Sequence, residues 1–315
     1  MLWNQYFFDA VVATQSCNFE ECIYADDLNA FRIFDRTASA ETILGEIECC
    51  QVELHSWGKG NSILFDASKE SKHILHRLHH ERSNFKVLGV NFDNHLRMHE
   101  AVRELAVGAG WRLRALFRAC RFFNTRQFVT RFKMQVLSYV ESGSVAFFHA
   151  PVSTMLPLDR IYNRFIRWID VSPADAIVFY RLAPLYLRRR IAALGVLHKR
   201  VLGLLAGPIA QFFPFATALN NHEPRTRMEF RRHTLQLLDR VAGNETEIFK
   251  RSLFGYVAIY NRLPQDVVEE RNVFSFQRRL QNALSNCVRF SRDWETLYSV
   301  ASRTTDISRF QSLFR

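Results

Sequence analysis

The feature that most constrains this chain is a change in apolar periodicity near Met98. Before it, apolar residues fall mostly into short extended runs separated by turn chemistry, with helical stretches at the start and at 40–57. After it, the spacing is helical nearly to the end. It predicts helices over 103–120, 125–142, 158–169, 186–205, 226–241 and 277–288. Loop chemistry separates them at His149-Ala150-Pro151, at Ser172-Pro173, where Ser172 would cap the next helix, and at 221–224. A chain so divided reads as α+β, with a small mixed head (1–97) and a helical remainder (98–315). No internal repeat or low-complexity segment interrupts either part.

Within the head, Asn18 to Phe34 (NFEECIYADDLNAFRIF) holds two apolar runs around an Ala-Asp-Asp tip, a hairpin pattern with two carboxylates at its turn. Residues 40–57 place Ile43, Ile47, Cys50 and Leu54 at helical spacing, Ser62 to Phe65 returns to an extended run, and Phe85 to Phe92 (FKVLGVNF) reads as a further short strand. The opening MLWNQYFFDAVVA has no basic flank and carries Asp9 in its apolar run, so it reads as an amphipathic helix rather than a signal peptide. Residues 201–219 lack charge, but Gly203, Gly207, Pro208, Gln211 and Pro214 interrupt them. A buried helix ending near Gly207-Pro208 is expected there, not a membrane span.

Charge is divided along the same line. Residues 1–60 carry 3 basic and 10 acidic groups, a net of −7, and residues 61–315 carry 39 and 21, a net of +18. An acidic head on a basic body suggests a polyanionic partner for the body and separate work for the head. Arg outnumbers Lys by 35 to 7; its planar fork suits phosphate oxygens, although a codon bias gives the same count. With 48% apolar residues the chain is not a disordered one. Its six cysteines are too few and too irregular for a disulfide framework, which points to a reducing compartment, nuclear or cytoplasmic, rather than secretion.

Asp26 and Asp27 are adjacent carboxylates in a turn. Such a pair is either a solvated turn, since Asp is a common turn residue, or a site for a hard divalent cation, Mg²⁺ or Mn²⁺, that relieves the repulsion between them. Ions so held can serve phosphoryl transfer. His73, His76 and His80 share a helical face and read as a basic solvated face, because no structural-zinc spacing accompanies them. Cys17 and Cys22 bracket the first hairpin strand and are expected to be ordinary buried thiols. Arg114, Arg118 and Arg121 follow i, i+4, i+7 opposite Leu113, Leu116, Phe117 and Cys120. This is either a solvated face or a basic stripe for the backbone of a duplex. Arg188 to Arg190 with Lys199 and Arg200 form a second stripe open to the same two readings.

The segment CIYADDLNAF resembles the YADD hairpin of reverse transcriptases, and FDASKESKHIL followed by FKVLGVNFDNHL keeps the motif order of the non-LTR (LINE-type) retrotransposon family. LWNQYFFDA is similar to the helix after that family's template-contacting motif, and SLFGYVAIYNRLPQDVV with VFSFQRRLQNALS is similar to its C-terminal signature. The resemblance implies a partial reverse-transcriptase palm followed by a thumb-like helical region, acting as an RNA-directed DNA polymerase by ancestry. Its expected partners are an RNA template, a DNA primer or RNA–DNA duplex, and dNTPs, with no membrane.

By the same resemblance Asp26 would ligate the catalytic ions with Asp27 in support. Lys69 would protonate or screen the departing pyrophosphate, unless it is an ordinary surface lysine. Leu88 and Gly89 would position the primer end, and Tyr24 would lie against the primer strand or simply pack on a neighbour. The family's other catalytic aspartate and its fingers match positions upstream of Met1, so impaired activity is expected of these 315 residues alone. The alternatives are a non-catalytic nucleic-acid-binding remnant of a retroelement, or a helical scaffold for protein partners.

Overall fold

The computed structural model describes residues 7–25, 27–35, 37–66, 68–75, 84–205, 207–216, 233–241, 246–290, 293–299 and 307–314. It divides into two compact units, Met1–His95 and Leu96–Arg315. The described residues are mostly helical with two small antiparallel sheets, one hairpin each, in keeping with the α+β class.

In the first unit, helix α1 (Ala10–Ser16) packs on α2 (Ala40–Gly60), and between them in sequence lies the hairpin of β1 (Glu20–Tyr24) and β2 (Asp27–Phe31). Ser39 starts α2, its side chain accepting the Thr42 N–H at 3.1 Å, so one of the orphan donors of the first turn is satisfied. The small core is built from Phe7, Ala10, Phe19, Cys50 and Leu54, with Ile23 and Leu28 leaning on it from the two strands. Residues 62–65 are not a strand. The chain crosses back over the end of α2, where the Ile63 N–H donates to the Gly58 carbonyl at 2.8 Å, and this approach needs the missing side chain of Gly58.

The stretch expected as one strand at 85–92 is a second hairpin, β3 (Asn84–Val87) and β4 (Val90–Asp93). Leu88 and Gly89 both have positive φ, 47° and 83°, which is how a two-residue turn matches the twist of its strands. The pairing sets Phe85 opposite Phe92 with stacked rings 5.5 Å apart.

The second unit begins with α3 (His99–Arg118), which packs on α5 (Val152–Trp168). Between them α4 (Thr125–Phe132) opens with a capping box of Asn124 and Gln127 and runs on through a π-helical turn, Lys133–Leu137. Aromatic rings fill the seam: Phe165 is fully buried, stacked 3.8 Å from Phe132 and tilted against Phe128 at 5.4 Å. Helix α6 (Pro173–Tyr180) is capped as expected by Ser172, whose side chain accepts the Asp175 N–H at 3.0 Å. The C-terminal core gathers α7 (Leu185–Val201), α8 (Leu253–Tyr260) and α9 (Val273–Arg289) around Leu187, Leu194, Tyr260, Phe276 and Leu280.

Two helix expectations change. Helix α7 stops at Val201, because Gly203 at φ 71° lets the Leu204 N–H reach the Lys199 carbonyl at 2.8 Å, a glycine C-cap; helix resumes only as a short turn, Gly207–Ala210. Residues 233–241, the described part of the helix expected at 226–241, are irregular instead. The Asn261 side chain accepts the Leu237 N–H at 2.9 Å and donates to its carbonyl at 2.7 Å, replacing the helical bonds. No helix among the described residues is long and apolar enough to cross a membrane.

Candidate functional site

Antiparallel pairing runs from Glu20↔Phe31 to Tyr24↔Asp27, so only two residues separate the strands in sequence. Ala25 sits at φ 54°, left-handed backbone that costs an L-residue about 1 kcal/mol. Tyr24 and Asp27 therefore face each other at the turn end of the hairpin. Both are exposed, Tyr24 by 66%. The Asp27 carboxylate makes no hydrogen bond or ion pair to a described residue, so its oxygens are available. Asp26 lies outside the described residues.

Among the described residues no group of three histidine, cysteine or acidic side chains comes together to hold a metal ion. What the hairpin supplies is an exposed acceptor carboxylate at Asp27. One carboxylate does not by itself make a metal site; Mg²⁺ or Mn²⁺ would need further oxygen ligands, such as substrate phosphates, beside it.

Lys69 is in a turn, not at a helix start. Asp66 accepts the Ser68 backbone N–H at 3.0 Å and its hydroxyl at 2.6 Å, and these bonds hold the Asp66 carboxyl below its ordinary range. The Lys69 ammonium is 83% exposed, 3.5 Å from the same carboxylate. A surface ion pair of this kind is worth little and leaves the side chain free to reach elsewhere. Leu88 and Gly89 form the tip of the second hairpin. Nothing in the described geometry joins Lys69, the Leu88-Gly89 tip and the Tyr24-Asp27 edge into one pocket.

Arg114 and Arg118 lie on the exposed side of α3, and Arg121 in the 3₁₀ turn that follows, Cys120–Phe122. Arg114 lies 4.6 Å from the ring centre of Trp111, which is 60% exposed, and Arg121 lies 4.9 Å from that of Phe122, which is 68% exposed. Leu113 and Leu116 are buried on the opposite side, as their spacing predicts. The face thus presents guanidinium groups beside uncovered aromatic rings.

The second basic stripe is consumed by the fold. Arg188 pairs with Glu141, Arg189 with Asp159 at 3.0 Å, and Arg190 donates to the carbonyls of Glu295 and Leu297 at 2.8 and 2.9 Å. Arg200 holds the carbonyls of Ala210 and Phe213. Of that stripe only Lys199 is exposed.

His73 lies in an irregular segment, stacked 4.6 Å from Phe85, and its burial lowers its pKa; His76 and His80 lie outside the described residues. Cys22 is exposed rather than buried. Cys17, half-buried, lies beside Cys49 and Cys50, and burial together with the neighbouring sulfur pushes the Cys50 thiol up to about 11. The Cys50 thiol therefore stays protonated and unreactive near neutrality. Comparison with protein-family models, curated proteins and solved structures finds no match to this chain.

Proposed function

We propose that the first unit is the palm portion of an RNA-directed DNA polymerase of the non-LTR retrotransposon type and the second its thumb-like and C-terminal region. The observation that carries this reading is local: the YADD sequence closes a tight antiparallel hairpin and leaves Tyr24 and Asp27 paired and uncovered at its end.

In this reading Asp26 and Asp27 hold Mg²⁺ or Mn²⁺. The ion, when bound, lowers the pKa of an attacking primer hydroxyl and offsets charge on the phosphates. Asp27 offers its carboxylate without first giving up a described partner. Tyr24, one strand across, lies against the primer strand. Lys69, weakly tethered to Asp66, screens or protonates the departing pyrophosphate. The Leu88-Gly89 turn approaches the primer end through its backbone, which glycine permits.

Primer extension on a primed RNA template with dNTPs and Mg²⁺ or Mn²⁺ tests the reading. Weak extension, abolished by Asp26→Ala, together with weaker Mn²⁺ binding by Asp27→Asn in a paramagnetic titration, is the expected result. No extension by the intact chain with either ion overturns it.

A second reading, nucleic-acid binding without synthesis, is favoured by the Arg114–Trp111 and Arg121–Phe122 face. It expects duplex affinity to fall steeply with salt. Replacing Arg114, Arg118 and Arg121 with Gln is then expected to reduce the log–log salt slope by about 3. A slope unchanged by the triple substitution refutes it.

A further inference from the structure

The second unit contains a cleft of about 400 Å³ between the C-terminal end of α6, one face of α9 and the last described turn, Ser312–Phe314. That volume is in the range of small-molecule sites. Along α9 the residues Arg279, Asn282, Asn286 and Arg289 recur at i, i+3, i+7 and i+10, so they form one polar row. Phe276, Leu280, Leu284 and Cys287 of the same helix are buried in the core and fix which way the row faces, while the buried Ala283 also lines the cleft.

Arg181 reaches the cleft from the residue after α6, where left-handed backbone (φ 49°) turns the chain sharply. Among the described residues that line the cleft none is a carboxylate. Arg279 is already tied to Asp266 and Glu270, which fixes its position and spends part of its charge. Arg181 and Arg289 are exposed and have no acidic partner among the described residues. The same neighbourhood is rich in positive charge: Lys133, which donates to the Tyr180 carbonyl, has its pKa lowered by burial and then by Arg188 and Arg181. Leu313 and Phe314 supply an apolar wall, held in place where the Asn286 amide donates to the Leu313 carbonyl at 3.0 Å.

Two uncommitted guanidiniums, a third held rigidly, free amide capacity at Asn282 and an aromatic wall are the complement of a phosphate group attached to a planar, partly apolar body. We propose that this cleft binds the phosphate of a nucleotide, either free or within a nucleic-acid strand. The proposal does not rest on the polymerase reading, because every residue it uses lies in the second unit and none touches the YADD hairpin's chemistry.

Calorimetric titration of the full chain with ATP, in the absence of divalent ions so that no metal site contributes, tests it. Saturable binding is expected at millimolar concentration or below. It should weaken by at least about tenfold in the Arg181→Gln/Arg289→Gln double variant, since each charge-assisted hydrogen bond carries about that factor. Both positions are exposed, and an unchanged circular-dichroism melt confirms that the double variant folds. Asn282→Asp, which puts a carboxylate into the row, should weaken binding in the same direction. A short single-stranded RNA that displaces ATP places the phosphate in a strand; ATP binding undisturbed by RNA places it in a free nucleotide. No saturation up to about 10 mM ATP, below what a pair of such bonds supports, or equal affinity in wild type and double variant, overturns the proposal.

Discussion

Acid should unfold the second unit well above the carboxylate range, through two buried histidines that share one tyrosine. His198 is fully buried, its ring stacked 4.0 Å from Phe276 with the planes 7° apart. Its Nε2 lies 2.7 Å from the Glu270 carbonyl, an acceptor only, so Nε2 carries the proton and neutral Nδ1 accepts from the Tyr260 hydroxyl at 3.0 Å. His233, also buried, donates from Nε2 to the Tyr260 carbonyl at 3.0 Å. Burial lowers the pKa of both below the ordinary 6.5, outweighing for His198 the opposing pull of Glu270.

The sign follows from which state takes up protons first. The unfolded chain protonates these rings as pH falls through about 6.5, while the folded state resists until its lower pKa values are reached. The stability they contribute is complete above 6.5 and is lost on acidification, at up to about 1.4 kcal/mol per pH unit for each histidine. Denaturant titration between pH 7.5 and 5, above the range where carboxylates dominate, measures it. His198→Gln keeps a donor for Glu270 and an acceptor for Tyr260 but cannot ionise, so its acid slope should fall by up to about 1.4 kcal/mol per pH unit against wild type. A wild-type stability flat over this window, or an equal slope in His198→Gln, refutes the reasoning.

Three substitutions probe the first unit by the same denaturant assay. Gly45 and Gly58 lie on the same helix, yet a Cβ at Gly45 meets nothing within 4 Å while one at Gly58 would lie 2.9 Å from the Ile63 carbonyl oxygen. Gly45→Ala should therefore stabilise by about 0.5–1 kcal/mol and Gly58→Ala destabilise by about 1–2 kcal/mol, the overpacking outweighing the helix gain; equal signs would contradict the close approach. Ala25→Gly should relieve the left-handed strain at the hairpin tip and stabilise by about 0.5–1 kcal/mol. A loss of stability there would show that the turn conformation is wrong.

What was legible in the sequence was whatever local chemistry decides. The first hairpin, the Ser172 cap and the buried side of α3 all follow from turn propensity, capping and 3.6-residue spacing, and all are found. The second hairpin was missed because its turn puts Leu88, a residue that rarely takes positive φ, ahead of Gly89, so the run FKVLGVNF reads as unbroken. The irregular path at 233–241 was hidden for another reason. Its backbone is satisfied by Asn261, 24 residues away, and no window centred on Leu237 contains that partner. The polar row of α9 was not read as a site, because Arg181, which completes the cleft, comes from the residue after α6, far upstream in sequence.

The same distinction governs how the basic charge of the second unit is read. A net count treats every arginine as equally able to meet a polyanion, yet Arg188, Arg189, Arg190 and Arg200 are held by carboxylates and backbone carbonyls. These bonds join α7 to the loop around Glu295 and Leu297 and to the turn at 210–213, so the cations act as cross-links. For Arg188 Lys is a poor substitute, because its Nε and Nη2 meet the two oxygens of Glu141 as a planar fork that a single ammonium cannot reproduce. An excess of Arg over Lys therefore arises from folding as readily as from phosphate recognition. What points toward an anionic partner is not the abundance of arginine but its residue after this subtraction: Arg114, Arg118 and Arg121 beside exposed rings, and Arg181 and Arg289 in a cleft whose described lining holds no carboxylate.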